Sequence, residues 1–191
     1  MIDFRDERAL KNWLTSREIG WEEWGSAGSK TTANLWHEYQ QGEIKFRDDP
    51  PTRAVRVVQI ILRRDNKVLL EIAQEFGDGR IRRRELPPSE KIIVAESQFE
   101  AAERCLREEL GLDSRTIQIL NSTADRYERV ADSPSYPGLR THYTVYTIEA
   151  AAEGLPDEDF WRENEAAANG DPVKRHLWGW RRTGGRIPRP E

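Results

Sequence analysis

The chain has 191 residues, of which 34% are charged and 37% are hydrophobic, and its formal net charge at pH 7 is −4. This composition excludes a wholly disordered chain, and no apolar run is long enough for a membrane-spanning helix or a signal peptide. A single cysteine excludes an intrachain disulfide and a zinc site built from several cysteines. We therefore expect a cytoplasmic protein that is not bound to a membrane. Its acidic balance also argues against nucleic acid as a partner.

The first part of the sequence is typical of two helices. Arg5 to Leu14 carries apolar residues at helical spacing. A second helix is predicted to run to Gln41 from a cap at Thr31 or Thr32, because a hydroxyl there accepts a free backbone N–H group. One hypothesis makes these tryptophan-rich helices a docking surface for a partner or for the second subunit of a homodimer.

Three segments are predicted along the chain. Asp48 to Pro51 is an acidic, proline-containing break that we expect to stop any regular element. It divides an N-terminal helical extension, residues 1–49, from a main domain at 50–183. The Gly/Pro/Arg-rich residues 184–191 are predicted to be a loose tail.

Alternating apolar residues and turn signals predict a sheet in the main domain. Further helices are expected at Ser97–Leu110 and Leu155–Glu165. This order predicts an α+β or α/β fold, a mixed sheet with helices on its faces. The predicted strands are Val55–Leu62, Lys67–Phe76, Arg80–Leu86, Thr116–Leu120, Thr123–Val130, Leu139–Glu149 and Val173–Arg181.

The segment from Glu90 to Leu112 resembles the signature of the Nudix hydrolase superfamily, G-x5-E-x7-R-E-U-x-E-E-x-G-U, in which U is an aliphatic residue. Two positions depart from it, because Glu90 replaces the first Gly and Cys105 replaces the first Glu of the R-E-U unit. The segment is therefore a degenerate form of the Nudix signature, or Nudix box. The positions that fall in register are Glu96, Arg104, Leu106, Glu108, Glu109, Gly111 and Leu112.

Glu108 and Glu109 follow Cys105 by three and four residues. On a helix, the side chain of Cys105 therefore projects between those of the two glutamates. Clustered carboxylates repel each other until a hard divalent cation joins them. The alternative from the residues alone is a solvated acidic face, since charge runs are usually exposed.

The resemblance implies a Nudix-like α/β/α sandwich and assigns roles within the motif. Glu96 and Arg104 would pair as a structural brace, and Glu108 and Glu109 would bind Mg²⁺ or Mn²⁺. Active members carry a catalytic glutamate at the position of Cys105, whose thiol is a soft ligand poorly suited to Mg²⁺. Whether the chain is an enzyme is thus left open by the motif.

Arginine and aromatic side chains outside the motif are the predicted substrate contacts. Arg82 and Arg84 share one face of a predicted strand, and Arg140 and Tyr136 lie near a predicted turn. The alternative for the arginines is a solvated face paired with Glu71 and Glu75 across the hairpin. For Tyr136 it is a place in the core.

Two functions follow from the resemblance. The first is a hydrolase with weakened activity that uses a bound cation and water to cleave a phosphoanhydride in a nucleoside diphosphate linked to another moiety. The second is a catalytically impaired nucleotide-binding or regulatory module. In both, the partner is a nucleotide-type small molecule.

Overall fold

The computed structural model describes residues 1–26, 28–121 and 123–184. The predicted tail from residue 185 onward lies outside these residues. They form three α-helices: α1 (Glu7–Ser16), α2 (Thr32–Gln40) and α3 (Gln98–Leu110). The strands are β1 (Ile44–Asp48), β2 (Pro51–Arg64), β3 (Lys67–Phe76), β4 (Ile81–Leu86), β5 (Ser89–Lys91), β6 (Ile117–Ile119), β7 (Asp125–Ser133), β8 (Tyr136–Ala152), β9 (Phe160–Glu163) and β10 (Val173–Arg181).

Each α-helix begins at a residue whose side chain accepts a backbone N–H group, as the sequence indicates. Asp6 caps α1, and Thr31 and Ser97 form capping boxes at α2 and α3. Helix α3 ends at Gly111, whose φ of +66° suits a residue without a side chain. The limits of the signature helix are therefore fixed by local chemistry.

The chain forms two compact units. The first comprises residues 1–57, 91–96 and 126–145, and β1 pairs antiparallel with β2 within it. Its core contains residues from both α1 and α2, such as Leu10 and Leu35, together with Phe46 and Tyr136. The N-terminal helices of this unit are thus part of a hydrophobic core.

The second unit comprises residues 58–90, 97–125 and 146–191. Its strands follow the order β6-β8-β2-β3-β10-β9, and β4 pairs with β3. Helix α3 belongs to this unit and buries one face. The buried residues of that helix are Ala101, Ala102, Cys105, Leu106 and Leu110.

The predicted fold class is confirmed: the described residues form a mixed sheet and three α-helices. The predicted strands Lys67–Phe76 and Arg80–Leu86 pair as a hairpin, with β3 and β4 on either side of Asp78-Gly79. No helix of the described residues is both long enough and apolar enough to cross a membrane.

The helix predicted at Leu155–Glu165 is wrong. Phe160–Glu163 is a strand that pairs with β10, and a short 3₁₀ helix follows it at Glu165–Asn169. Pairing with a neighbouring strand satisfies the backbone of this segment and overrides its weak local preference.

The break predicted at Asp48 to Pro51 is confirmed, because β1 ends at Asp48 and β2 begins at Pro51. The segment is the turn of a hairpin in which Asp48 pairs with Pro51. The sequence analysis did not predict β1. The boundary between residues 49 and 50 stays a prediction.

Deleting residues 1–49 should leave a chain that does not fold. Most of the first core lies in that segment, including Leu10, Leu14 and Phe46, whereas Val55 and Tyr136 follow it. Removal would expose the apolar surface of the remaining members. Solubility and the dispersion of amide NMR signals of residues 50–191 measure this. A soluble, well-dispersed spectrum would contradict it and would favour the hypothesis of a docking extension.

Candidate functional site

The acidic residues of the signature helix lie on a cavity of about 300 Å³ in the second unit. Its lining includes two residues of α3 and one residue each from β5, β9 and β10. The lining residues are Glu90, Glu108, Glu109, Glu163, Asn164, Glu165, Ala166 and His176. The motif glutamates thus face a common space together with a histidine.

Glu109 is the most perturbed carboxyl group at this cavity. Burial raises its pKa, the nearby His176 lowers it, and the charges of Glu90 and Glu71 raise it again, with a result of about 7. A carboxylate surrounded by other carboxylates is stabilised when a cation is added. The electrostatics therefore favour a positive group in the cavity.

His176 stands beside Glu109 on β10. Its Nδ1 atom is 2.5 Å from Oε1 of Glu71, and its Nε2 atom is 3.8 Å from Oε2 of Glu109. The second oxygen of Glu71 is 3.0 Å from Nη1 of Arg84. Burial lowers the pKa of His176, but the hydrogen bond with Glu71 and the charge of Glu109 outweigh it, so that the pKa is raised.

Cys105 is completely buried between the two motif glutamates. Burial raises the pKa of its thiol well above the usual range, and the charges of Glu90 and Glu109 raise it further. The thiol is therefore protonated at neutral pH. A protonated thiol is neither a nucleophile nor a ligand for a hard cation.

Arg104 pairs with acidic residues of the second unit. Its Nη1 atom is 3.6 Å from Oε2 of Glu90 and 3.5 Å from Oε2 of Glu108. The carboxylate of Glu96 accepts the backbone N–H of Ile93 at 3.3 Å. Pairing of Glu96 with Arg104 stays a prediction. The glutamate in place of the signature glycine gives Arg104 a further carboxylate partner.

The two strand arginines hold buried polar partners across the β3–β4 hairpin. Arg82 donates to Oε1 of Gln74, at 3.1 Å from Nε, and Arg84 pairs with Glu71. The predicted alternative, pairing with Glu71 and Glu75, is realised by Arg84 and Glu71. Glu75 pairs instead with Arg175, at 2.6 Å.

Tyr136 and Arg140 belong to the first unit. Tyr136 has no exposed surface, and its hydroxyl donates to Oε1 of Glu38 at 3.0 Å. It therefore offers no face for stacking on a base. Arg140 is exposed. Neither residue is among those that line the cavity in the second unit.

Glu38 is the centre of a buried polar cluster in the first unit. Its carboxylate accepts from Lys91 at 2.7 Å and from Arg53 at 3.2 Å, in addition to Tyr136. Arg53 also donates to Oγ1 of Thr141 at 3.2 Å. The cluster accounts for the burial of Tyr136 and stabilises this unit rather than binding a ligand.

The donor chemistry of the cavity fits a divalent cation. Glu90, Glu108 and Glu109 offer carboxylate oxygens, the ligands that Mg²⁺ and Mn²⁺ prefer, and burial of Glu109 disfavours its charge without a counter-ion. Within the described ranges, no three His, Cys, Asp or Glu side chains are already gathered in metal-binding geometry. A bound ion therefore requires a side chain such as the exposed Glu108 to turn inward.

His176, Glu71 and Glu163 belong to the site but are not among the residues predicted from the sequence. His176 and Glu71 come together because β10 and β3 pair antiparallel, 105 residues apart along the chain. No pattern of neighbouring residues predicts a pairing between strands so far apart in the sequence. The one available signal was the apolar strand Val173–Arg181 with a histidine in its middle.

Neither a protein-family model nor a curated protein matches this sequence. Among solved structures, a MutT Nudix hydrolase from Burkholderia pseudomallei is 22% identical, with a TM-score of 0.43, over 72% of this chain and 88% of that chain. A Nudix hydrolase from Nitrosomonas europaea is 16% identical, with a TM-score of 0.40, over 65% and 71%.

A complex of an Ap4A hydrolase from C. elegans is 13% identical, with a TM-score of 0.36, over 65% of this chain and 77% of that chain. The two bacterial proteins are Nudix hydrolases, members of the superfamily whose signature the motif resembles.

Proposed function

We propose that this protein is a Nudix-type hydrolase with weakened activity, which cleaves a phosphoanhydride in a nucleoside diphosphate linked to another moiety. One observation carries the proposal: Glu90, Glu108 and Glu109 line one cavity, at the helix whose sequence resembles the Nudix signature. Phosphoanhydrides are substrates that need positive charge and an oriented water.

In this proposal, the glutamates and Arg104 have separate roles. Glu108 and Glu109 would hold Mg²⁺ or Mn²⁺, which when bound polarises a phosphoryl oxygen and lowers the pKa of water. The pKa of Glu109, about 7 without an ion, should fall when a cation binds, so that binding releases a proton from this carboxyl group. Arg104, paired with Glu90 and Glu108, keeps their carboxylates at the cavity.

Arg82 and Arg84 would bind the phosphates of the substrate. A guanidinium group carries five N–H donors. Arg82 uses Nε and Nη2 on Gln74, and Arg84 presents Nη1 to Glu71. Neither arginine is among the residues that line the cavity, so in this proposal their other N–H donors reach the substrate's phosphate oxygens from beside it.

Replacing both motif glutamates, as Glu108→Gln with Glu109→Gln, should abolish any cation-dependent hydrolysis. The substitution keeps the size of each side chain and removes the charges that hold the cation, so we expect a loss of about 100-fold or more. Release of nucleoside monophosphate from ADP-ribose, nucleotide sugars and dinucleoside polyphosphates, with Mg²⁺ or Mn²⁺, is the measurement.

Glu103→Gln is the matched control for this experiment. Glu103 is an exposed glutamate on the same helix that does not line the cavity, so its replacement should leave the rate unchanged. Equal rates for the native chain and the double variant would refute the hydrolase proposal.

The second candidate function is a nucleotide-binding or regulatory module. The buried, protonated thiol of Cys105 favours it, because an uncharged group stands where active relatives place a catalytic carboxylate. A module of this kind raises its melting temperature with a nucleotide and does not hydrolyse it. Turnover with the native chain would exclude this candidate.

A further inference from the structure

His176 is held in one orientation by its neighbours. The side chain is 7% exposed, and its Nδ1 atom is 2.5 Å from Oε1 of Glu71, which is itself buried. Arg84 fixes the other oxygen of Glu71 at 3.0 Å. This contact places a hydrogen on Nδ1, which leaves a lone pair on Nε2 in the neutral imidazole.

The Nε2 atom of His176 is buried and has no hydrogen-bond partner among the residues that the structure describes. It lies on the cavity shared by Glu90, Glu108 and Glu109. Buried polar side-chain atoms are nearly always hydrogen-bonded, so this exception calls for an explanation, such as a bound ion or water. A cation that accepts electron pairs from the neutral imidazole and from the carboxylates fits this arrangement.

The distance between His176 and Glu109 fits a bridging ion. Nε2 and Oε2 are 3.8 Å apart, which is too long for a hydrogen bond. A metal ion with bonds of about 2.1 Å to each atom spans separations up to about 4.2 Å. The two atoms can therefore share one ion without movement of the backbone.

The set of donors also selects the ion. Mg²⁺ favours oxygen ligands, whereas an imidazole suits first-row transition metals. Histidines that bind metals usually donate their other ring N–H to a carboxylate, as His176 does to Glu71. Thiolate chemistry adds nothing here, because Cys105 is buried and protonated.

We propose that Nε2 of His176 and Oε2 of Glu109 bind a first-row transition-metal dication, with Glu108 turning inward as a third ligand, so that the site prefers such ions to Mg²⁺. The proposal builds on the proposed function, since it names the cation of the same cavity. It assigns the nitrogen ligand to β10, outside the signature helix.

Titration calorimetry with Co²⁺ and with Mg²⁺ tests the proposal on the full-length chain without a histidine tag. Co²⁺ also has a visible absorption band that reports on its ligands. We expect tighter binding of Co²⁺ than of Mg²⁺. His176→Asn should weaken Co²⁺ binding by about 10-fold or more and leave Mg²⁺ binding nearly unchanged.

Glu71→Gln is a second variant, in case His176→Asn loses Co²⁺ affinity through misfolding. It keeps the imidazole of His176 and removes its carboxylate partner. It should also weaken Co²⁺ binding by about 10-fold and shift the absorption band. His142→Asn is the matched control. His142 pairs with Glu128 in the first unit, at 3.3 Å, and its replacement should change nothing.

The outcomes separate this proposal from the hydrolase proposal. Equal Co²⁺ affinity for the native chain and His176→Asn, or no Co²⁺ binding at all, overturns the assignment of His176. Mg²⁺-dependent turnover that His176→Asn retains would then leave the hydrolase standing. Conversely, His176-dependent Co²⁺ binding without turnover supports the metal site and contradicts the hydrolase.

Discussion

Cys105→Glu should raise the rate of Mg²⁺-dependent hydrolysis by about two orders of magnitude, or about 2.7 kcal/mol in the barrier. The substitution returns a carboxylate to the signature position between Glu108 and Glu109, where the native thiol is buried and protonated. A third motif carboxylate adds a hard oxygen ligand that a thiol does not supply. The measurement is kcat/KM on the best substrate from the screen.

Cys105→Gln is the matched control, because glutamine has the size of glutamate without its charge. A gain in the glutamate variant that the glutamine variant lacks would assign the effect to the charge. Equal rates for the two variants would show that position 105 doesn't limit the reaction.

The same variant should be less stable without a divalent cation. Position 105 is fully buried and faces the charges of Glu90, Glu108 and Glu109, so a new glutamate there is both desolvated and repelled. Addition of Mg²⁺ should restore the melting temperature by mass action on the folded state. A melting temperature that ignores Mg²⁺ would count against a cation at this site.

Glu38→Gln should lower the free energy of unfolding by about 3–5 kcal/mol, the typical cost of breaking a buried ion pair. Glu38 is 5% exposed and accepts from Lys91, Arg53 and Tyr136. Its neutral replacement leaves Arg53, which is 3% exposed, without a buried counter-charge. Urea denaturation at pH 7 is the measurement, and a loss below about 1 kcal/mol would contradict it.

The pH dependence of stability gives a second test of this cluster. Burial raises the pKa of Glu38, but Lys91, Arg53 and Lys30 outweigh it, so the pKa is lowered. A carboxyl group with a lowered folded pKa contributes stability above its unfolded pKa, and that contribution disappears as the pH falls through the folded pKa. Glu38→Gln should therefore lose less stability on acidification than the native chain.

Arg115→Gln is a suitable control for both measurements. Arg115 forms an exposed ion pair with Asp113 at 2.7 Å, and exposed pairs contribute little to stability. Its replacement should leave the unfolding curve and its acid limb unchanged. A comparable loss in this variant would mean that charge in general, rather than the buried cluster, sets the stability.

Local sequence patterns were sufficient wherever neighbours along the chain decide the structure. Ser97 and Gly111 bound helix α3 because a side-chain acceptor and a left-handed glycine act within one turn. Lys67–Phe76 is a strand, as its apolar alternation predicts. The helix predicted at Leu155–Glu165 failed because pairing with β10 outweighs a weak helical preference.

By itself, the sequence determined the signature helix and the neighbouring positions of Cys105, Glu108 and Glu109 on it, since helical periodicity needs no distant contact. Tertiary structure alone decided what stands around them. The antiparallel pairing of β3 and β10 brings Glu71 and His176 to Glu109, and burial sets the protonation of Cys105. Tertiary structure also buries Tyr136, whose hydroxyl donates to Glu38. Desolvation and contacts between distant residues depend on the folded chain, and no local pattern encodes them.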